Sequence, residues 1–298
     1  MSAIAVIGLG SMGDGMAKSC LRAGLTVHGF DAMAEREEAF LATGGAPGSL
    51  AEVAPGLDAV LVVVLNAAQT EDLLFGPEGI VPHLKKGVVV ISSATVPPRF
   101  ARAMEARSNA AGISYLDAPI SGGSLKAASG ELTVLASGTP EAFAAAAPVL
   151  DAVAETVFPM GDAAGAGSVM KAVNQLLAGV HVAAMGEALT FGMTQGIAPE
   201  MFLDVISKCA GTSWALENRA PHVVAGDYAP RSQIDIWPKD LGIVLSAAAE
   251  AGFEAPIAAA ALAQFQRAVE LGLGAEDDAA IAKVYARAVE LTLPGEGE

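Results

Sequence analysis

The chain is poor in basic residues, and this shortage excludes two broad classes of function. Lys and Arg number 17 against 33 Asp and Glu, which gives a formal net charge of -16 at pH 7. Such a chain repels the phosphates of nucleic acids and of anionic membranes, so we expect neither as a partner. A small anionic substrate stays compatible with this charge, because local hydrogen-bond donors can outweigh the overall field.

Cysteine is also scarce, and the two cysteines are far apart in sequence. Cys20 and Cys209 form neither a CxxC pair nor a zinc-ligand cluster, so no metal site is predicted. We interpret both as small buried apolar residues in a reducing compartment. No basic segment precedes Lys18, which argues against a secretory signal. These features together predict a cytoplasmic protein.

Long uncharged runs are few, and the longest candidate is short for a membrane span. The stretch between Lys171 and Glu187 holds 15 residues without Asp, Glu, Lys or Arg. A bilayer requires about 20 apolar residues in a helix. The stretch also contains Asn174, Gln175 and His181. We therefore interpret it as a buried helix of a soluble protein.

In the first half of the chain, short runs of residues typical of β-strands alternate with helical stretches. The runs at 59–65 and 88–91 are almost entirely apolar, as parallel strands covered on both faces are. This rhythm predicts an α/β Rossmann domain with a doubly wound, mostly parallel sheet. The predicted strands are 4–7, 26–30, 59–65, 88–91, 114–117, 132–136 and 156–158, with helices beginning near Met12, Ala34, Ser49 and Gln69.

The pattern changes after Gly161 to long Ala-, Leu- and Met-rich segments at helical spacing. We predict helices at 166–195, 198–208, 232–251, 256–271 and 277–290. The expected organisation is a Rossmann domain at 1–162 and an all-helical domain at 163–298, with helix 166–195 beginning at their junction. The helical domain is the one in which substrate binding and oligomerisation are expected.

A glycine-rich loop follows the first predicted strand, with the sequence Gly8-Leu9-Gly10-Ser11-Met12-Gly13. A GxGxxG pattern alone is a weak signal, but here an apolar strand precedes it and a helix follows. Gly8 permits the tight turn, Gly10 lets the backbone approach a pyrophosphate, and Gly13 lets helix and strand pack closely. The loop therefore predicts a dinucleotide site rather than a simple turn.

An acidic residue in the right place refines the choice of cofactor. Asp31 comes 18 residues after Gly13, at the end of the second predicted strand. A carboxylate there accepts hydrogen bonds from the adenosine ribose and repels a 2′-phosphate. The next residue is Ala32 rather than Arg, and the sequence offers no obvious group that would rescue NADP binding. The predicted cofactor is NAD.

A lysine near the start of the long predicted helix is the candidate acid/base. Gly167, Lys171, Asn174 and Gln175 fall on one helix face. Burial and a nearby nicotinamide cation both favour the neutral amine, which can take a hydroxyl proton. The alternative is that Lys171 reaches solvent from an amphipathic helix, and these residues alone do not decide between the two.

The histidines offer no competing arrangement in the sequence. His28 falls on a predicted strand, His83 on a loop, and His181 about 80° around the helix from Lys171. His222 follows Pro221 and has no evident acidic partner.

Four motifs in order make the chain resemble the β-hydroxyacid dehydrogenase family, which includes 3-hydroxyisobutyrate dehydrogenase and tartronate semialdehyde reductase. The resemblance covers nearly the whole chain and implies a fold like that of 6-phosphogluconate dehydrogenase. The motifs are the segment from Ile7 to Gly13, Asp117-Ala118-Pro119-Ile120-Ser121-Gly122-Gly123, the segment from Gly165 to Asn174, and Lys239-Asp240-Leu241.

The resemblance implies a role for individual residues. Lys171 matches the family's catalytic lysine, and Ser121, Gly122 and Gly123 match its carboxylate-binding segment, with Asn174 and Gln175 as further substrate ligands. The positions that would line the cofactor, beyond the glycine loop and Asp31, are Leu65, Asn66, Thr95 and Lys239. A flexible turn at Ser121-Gly122-Gly123 and a solvated helix lysine at Lys239 are the alternatives without function.

The chain departs from the family pattern at two places beside the expected nicotinamide pocket. Ala94-Thr95-Val96 lacks one hydroxyl of a frequent Ser-Thr pair, and Leu65-Asn66-Ala67-Ala68-Gln69 lacks a proline that many relatives have. The stretches 174–181, 217–222 and 226–228 are similar to those of family members that act on L-threonate.

Several expectations follow from this resemblance. The expected reaction is oxidation of the C2 hydroxyl of L-threonate with NAD, by a homodimer or homotetramer. Ser213, Trp214 and Asn218 are possible ligands of a polyhydroxy substrate, although Ser213 could equally cap a helix. The alternatives are a 3-hydroxyisobutyrate dehydrogenase, a semialdehyde reductase and, more remotely, a non-catalytic nicotinamide-binding module.

Overall fold

The protein was analysed as a computed structural model that describes residues 2–297. The chain forms two compact units, Met1–Lys171 and Ala172–Glu298. The domain boundary expected from the sequence, at 162/163, falls inside the first of these units.

The first unit is built on a mixed sheet of eight strands in the order β2-β1-β3-β4-β5-β7-β6, with β8 pairing with β7. The first five strands pair in parallel, β7 runs antiparallel to β5 and β6, and β8 is parallel to β7. The strands are β1 Ala3–Ile7, β2 Thr26–Phe30, β3 Ala59–Val62, β4 Val89–Ser92, β5 Ser114–Asp117, β6 Ile120–Ser121, β7 Leu132–Ser137 and β8 Ala154–Gly161. The predicted α/β fold with a mostly parallel sheet is confirmed.

Helices cover both faces of this sheet, which explains the nearly continuous apolar runs in its central strands. Along β1, Ile4 and Val6 pack into one core cluster, while Ala5 and Ile7 pack into another on the opposite face. The helices of this unit are α1 Gly13–Arg22, α2 Ala34–Leu41, α3 Leu50–Val53, α4 Ala67–Phe75, α5 Pro98–Ala110, α6 Gly123–Ser129 and α7 Pro140–Val153.

Three helices and one strand of this unit were not identified from the sequence. α5 and α7 each begin with a proline, Pro98 and Pro140, which is favourable at the first helical position because its missing N–H needs no partner there. That signal was available in the sequence. The two-residue strand β6 and the seven-residue helix α6 are too short to produce a periodic pattern.

The second unit is helical, and its longest helix, α8, begins in the first unit and continues through the division between them. The helices are α8 Ala166–Thr194, α9 Pro199–Ile206, α10 Trp214–Ala225, α11 Ile236–Glu250, α12 Pro256–Glu270 and α13 Ala282–Ala288. The sequence analysis missed α10, because Pro221 interrupts its pattern. The core of this unit includes a stacked pair, Trp237 and Phe265, with ring centroids 5.3 Å apart.

Helix α8 is long and apolar enough to cross a membrane by length and composition, and 44% of its most apolar window is buried in the structure. A core helix of a soluble protein has the same properties, so this single helix is weak evidence for a membrane protein.

The prediction for the cysteines was half right: Cys20 is buried, but Cys209 is exposed just beyond α9.

Candidate active site

The predicted cofactor residues lie at one edge of the sheet. Gly8 follows β1 directly, Asp31 follows β2, Leu65 comes shortly after β3, and Thr95 comes shortly after β4. These four strands are parallel neighbours in the order β2-β1-β3-β4. Their carboxyl ends therefore face the same side, which is where ligands bind in open α/β sheets.

The glycine loop has the steric properties that a dinucleotide requires. Gly8 has φ +99°, and a Cβ there would lie 2.6 Å from the Val63 carbonyl oxygen. A Cβ on Gly13 would overlap the Gly8 carbonyl oxygen. Within residues 2–297 and apart from the chain neighbours of Gly10, a Cβ on Gly10 would have only Arg36 Nη1 within 4 Å, at 3.8 Å. Two glycines are thus required by the protein itself, while Gly10 leaves open space for an approaching ligand.

Asp31 is held by the glycine loop and by the first turn of α2. Its Oδ2 accepts the Leu9 N–H at 2.7 Å, and its Oδ1 accepts the Met33 N–H at 3.0 Å. Burial alone would raise the pKa of Asp31, but these N–H groups and the Arg36 guanidinium lower it below its usual range. The carboxylate is therefore ionised at neutral pH.

Arg36 corrects one conclusion of the sequence analysis. Its Nη1 lies 3.3 and 3.4 Å from the two carboxylate oxygens of Asp31. The sequence analysis considered only the position directly after Asp31, and Ala32 there offers no charge. A helix that starts at Ala34 brings residue 36 back toward the end of β2, so a cation does stand beside the Asp31 carboxylate.

Leu65 and Asn66, two of the remaining predicted cofactor positions, also take part in the hydrogen bonds at the start of α4. Asn66 caps α4, because its Oδ1 accepts the Gln69 N–H at 2.9 Å, and Gln69 in turn accepts the Leu65 N–H at 2.9 Å. The Leu65 side chain is 56% exposed. Thr95 is half-buried in the loop between β4 and α5.

A buried carboxylate fixes the beginning of α8. Asp117, at the end of β5, is fully buried and accepts hydrogen bonds from Gly165 N–H, Ser168 N–H and Ser168 Oγ at 2.7–2.9 Å. Ser137 Oγ also donates to it, at 3.3 Å. Burial raises the pKa of Asp117, although the hydrogen bonds from Ser168, Gly165 and Ser137 act in the opposite direction. The sequence analysis had read Asp117 only as the first residue of a substrate-binding segment.

The start of α8 also packs tightly against the sheet. A Cβ on Gly167 would overlap the Leu135 carbonyl oxygen of β7 and would lie 3.0 Å from the Asp117 carbonyl oxygen. The absence of a side chain at Gly167, before the lysine, therefore allows α8 to pack closely against the sheet.

Lys171 lies one turn further along α8 and points at the predicted substrate segment. Its side chain is buried, with 8% exposure, and its Nζ donates to the Ile120 carbonyl oxygen at 2.8 Å. The residue after Ile120 is Ser121, which lies on β6 and is half-buried. Gly122 and Gly123 follow with φ +136° and +78° and begin α6. The structure thus brings Lys171 to the segment that carries Ser121, Gly122 and Gly123.

Asn174, Gln175 and Lys239 meet through a residue that the sequence analysis did not single out. Asp240 on α11 is buried, and its Oδ2 accepts a hydrogen bond from Gln175 Nε2 at 2.6 Å. Gln175 Oε1 accepts from Asn174 Nδ2 at 3.0 Å. Lys239 Nζ lies 3.0 Å from Asp240 Oδ1. Gln175 was expected to bind substrate, but both ends of its amide already have protein partners.

The structure also corrects the view of His222. Its Nδ1 lies 2.8 Å from Oδ1 of the buried Asp277, a partner 55 residues away. Asp277 Oδ2 accepts hydrogen bonds from the backbone N–H groups of Arg231 and Ser232, so the His222–Asp277 pair links loops of the helical unit.

Ser213 caps α10 by accepting the Leu216 N–H at 3.0 Å. Between residues 2 and 297, no group of three or more His, Cys, Asp or Glu side chains could hold a metal ion.

Comparison with known families matches both halves of the chain. Residues 3–161 match the NAD binding domain of 6-phosphogluconate dehydrogenase. Residues 165–285 match a family described as the NAD-binding domain of NADP-dependent 3-hydroxyisobutyrate dehydrogenase.

Individual relatives cover almost the whole chain. The chain is 48% identical to an L-threonate dehydrogenase of Cupriavidus necator over 99% of both chains. It is 31% identical to an NAD-dependent L-serine dehydrogenase of Pseudomonas aeruginosa, over 93% of this chain and 95% of the relative. A crystal structure of 3-hydroxyisobutyrate dehydrogenase from Salmonella typhimurium superposes with a TM-score of 0.90 at 45% identity, covering 95% of this chain and all of that one.

The glycine loop at the carboxyl edge of the sheet and these full-length matches define an NAD-binding oxidoreductase. The chain belongs to the β-hydroxyacid dehydrogenase family, of the 3-hydroxyisobutyrate dehydrogenase type. The expected cofactor, NAD, is confirmed.

The contrast between Gly10 and Gly13 gives a test of the loop. Gly10→Ala should change the free energy of unfolding by less than about 0.5 kcal/mol, because the new methyl group has open space. It should weaken NADH binding at least about tenfold, because the methyl group stands where a pyrophosphate approaches the backbone. Gly13→Ala should instead cost about 1–3 kcal/mol of stability through overpacking. Denaturant unfolding and titration of NADH fluorescence measure the two effects.

The pair of variants serves as its own control. Unchanged NADH binding by Gly10→Ala, in a protein shown to be folded, would contradict the assignment of this loop to the pyrophosphate.

Proposed function

We propose that this protein is an NAD-dependent L-threonate dehydrogenase, which oxidises the C2 hydroxyl of L-threonate to a 2-oxo acid. The observation that carries the proposal is the buried Lys171, whose Nζ is bonded to the backbone directly before Ser121. In this proposal Lys171 is the proton-transfer group, and it lies next to a segment suited to a carboxylate. The L-threonate dehydrogenase of Cupriavidus necator, at 48% identity, supports the choice of substrate.

Lys171 is the proposed acid/base. In the direction of oxidation the neutral amine takes the proton of the substrate hydroxyl, and in the direction of reduction the ammonium returns it. Its burial and its bond to Ile120 O hold Nζ at a fixed position, which proton transfer requires. NAD, when bound, accepts the hydride that leaves the same carbon.

Ser121, Gly122 and Gly123 are the proposed ligands of the substrate carboxylate. Positive φ angles at both glycines disfavour residues with a side chain there, and in this proposal the backbone N–H groups of the two glycines bind the anion. Asn174 lies one turn beyond Lys171 on the same helix, and its amide can hold a second polar group of the substrate. In this proposal Gln175 holds Asn174 and does not itself bind substrate.

The cofactor is proposed to lie along the glycine loop from Gly8 to Gly13, with the adenosine ribose at Asp31. The Asp31 carboxylate would accept hydrogen bonds from the ribose hydroxyls, and N–H groups of the loop would hold the pyrophosphate. Leu65, Asn66 and Thr95 are proposed to line the path toward the nicotinamide, since they follow β3 and β4 at the same edge. Lys239 is the proposed cofactor contact from the helical unit.

A second candidate function is oxidation of a 3-hydroxy acid such as 3-hydroxyisobutyrate, or the reverse reduction of a semialdehyde. The similarity to the Salmonella typhimurium structure, which is named 3-hydroxyisobutyrate dehydrogenase, favours this alternative. A non-catalytic nicotinamide-binding module is less consistent with the structure, because such a module would have no need for a buried lysine.

Substitution of the lysine tests the mechanism. Lys171→Ala should reduce turnover at least about 100-fold while NADH still binds, because only the proton-transfer group is lost. Lys171→Arg should also be poorly active, since a guanidinium keeps its proton at neutral pH. Steady-state kinetics and NADH fluorescence titration measure both effects. Turnover that survives in either variant would defeat the assignment.

A substrate panel tests the reaction. We expect NAD reduction to be fastest, by kcat/KM, with L-threonate when D-threonate, L-serine and 3-hydroxyisobutyrate are compared under identical conditions. The reason is that a polyhydroxy acid makes contacts beyond its carboxylate and its reacting hydroxyl, and these raise kcat/KM. A preference for 3-hydroxyisobutyrate would support the second candidate, and a lack of turnover across the panel would revive the non-catalytic module.

The exposed face of α8 supports a homo-oligomer. Its apolar residues recur at spacings of three and four from Met170 to Ala184 and then, seven residues on, at Phe191, as at a helix–helix contact: Met170, Val173, Leu177, the half-buried Val180, Ala184 and Phe191. Four of these are between 42% and 66% exposed: Met170, Val173, Leu177 and Phe191. An apolar stripe of this length is unusual on a monomer, and a second copy of the chain would cover it.

The proposed function also includes a cytoplasmic location for the protein.

Light scattering tests the oligomer. The wild-type protein should have the mass of a dimer or a tetramer, and Leu177→Glu should lower the mass, because a buried unpaired carboxylate is unfavourable. Glu187→Gln on the same helix is a control that removes a charge without adding one. A monomeric wild-type protein would contradict this part of the proposal.

A further inference from the structure

A cation stands beside the carboxylate that selects the cofactor. Arg36 Nη1 lies 3.3 Å from Asp31 Oδ1, and the Arg36 side chain is 46% exposed against 8% for Asp31. The guanidinium thus covers the carboxylate from the solvent side. Asp31 is already engaged by two backbone N–H groups, from Leu9 and Met33, so the position of the carboxylate does not depend on Arg36.

The guanidinium also reaches the glycine loop. Arg36 lines a cavity of about 340 Å³ together with Gly10, Ser11, Asp14 and Lys18. Arg36 Nη1 would lie 3.8 Å from a Cβ on Gly10. A group attached to the ribose at Asp31 would therefore meet this side chain at the edge of the cofactor site.

The second cation of the cavity is already paired. Lys18 Nζ lies 2.7 Å from Asp14 Oδ2, one turn earlier on α1. Lys18 is held against its own helix, whereas Arg36 is paired, through contacts of 3.3 and 3.4 Å, with the carboxylate at the ribose position itself. Arg36 is therefore the cation of this cavity suited to a further anion.

Two carboxylates surround the ribose position, and this sets the direction of the preference. Besides Asp31, Glu37 is held there, because its Oε1 accepts the Asp31 N–H at 2.8 Å. Both repel a 2′-phosphate, and Arg36 supplies one opposing charge. The net charge of these three side chains at the end of β2 is still negative. Arg36 makes it one unit less negative than Asp31 and Glu37 alone would.

We propose that Arg36 is a specificity-determining residue that allows this protein to bind NADP(H) as well as NAD(H). Its guanidinium offers the 2′-phosphate a planar pair of N–H donors, an arrangement that suits phosphate oxygens. Asp31 and Glu37 keep NAD(H) the preferred cofactor. The proposal rests on the NAD-binding family of the chain and is independent of which hydroxy acid is oxidised.

Binding of the reduced cofactors tests the proposal without any substrate. NADH and NADPH are titrated by nicotinamide fluorescence into wild-type protein and into Arg36→Gln, Arg36→Lys and Lys18→Gln. Wild-type protein should bind both, with NADH tighter. Arg36→Gln should weaken NADPH at least about tenfold more than NADH, because a charge-assisted bidentate contact is lost. Arg36→Lys should retain part of the NADPH affinity, and Lys18→Gln should change the NADPH/NADH ratio less than about twofold.

A further variant examines the coupling between the two charges. Asp31→Asn should improve NADPH binding relative to NADH, and the combined Asp31→Asn, Arg36→Gln variant should lose most of that gain. The proposal would be overturned if Arg36→Gln weakened NADH and NADPH equally, since an arginine that only contacts the adenosine serves both. It would also fail if wild-type protein did not bind NADPH, or if Lys18→Gln changed the ratio as much as Arg36→Gln. Failure of the threonate assignment leaves all these outcomes unaffected.

Discussion

The buried carboxylate of Asp117 determines where the longest helix of the protein begins. A carboxyl group removed from water is costly unless hydrogen-bond partners replace the lost solvation, and Gly165, Ser168 and Ser137 provide those partners. The same contacts satisfy N–H groups at the start of α8, which have no partner within the helix. Because the start of the helix is fixed, Lys171 one turn later is fixed as well. The contacts between Asp117 on the sheet and the start of α8 thus position the Lys171 amine.

This constraint explains residues that otherwise look unrelated. Gly167 must lack a side chain because the same contacts draw α8 onto the Leu135 carbonyl oxygen. The segment that follows Asp117 passes directly over the helix, so that Ile120 O accepts the hydrogen bond from Lys171. Asp117, Gly167 and Lys171 therefore form one structural unit around the candidate site.

The parts of the site that the sequence could predict are those in which chemistry follows local spacing. The glycine loop, Asp31 and Lys171 were predicted as site residues because each stands at a set distance from the end of a strand or the start of a helix. Asp240 and the His222–Asp277 pair were missed because their partners lie 65 and 55 residues away, and only tertiary packing brings them together. Arg36 was missed for a smaller reason: the turn of α2 returns it to Asp31, so adjacency in sequence was the wrong test.

In the proposed site, neutral donors provide most of the contacts to anions, which explains how a strongly acidic chain could bind them. In the proposed site the pyrophosphate and the substrate carboxylate both meet backbone N–H groups, at the glycine loop and at Gly122 and Gly123. Such groups are oriented by the fold and lose little entropy when a ligand arrives. A net charge of -16 is then compatible with an anionic cofactor and an anionic substrate.

The contact between Gln175 and Asp240 imposes a direction on the hydrogen bonds along α8. A carboxylate only accepts, so the nitrogen of the Gln175 amide must face Asp240, and its oxygen must face Asn174. Asn174 in turn must present its nitrogen to that oxygen. Its own oxygen and one remaining N–H then point elsewhere, a combined acceptor and donor that matches a hydroxyl group better than a carboxylate. If Asn174 binds substrate as proposed, the buried carboxylate of Asp240 on α11 thereby sets the kind of functional group that the Asn174 amide is able to recognise.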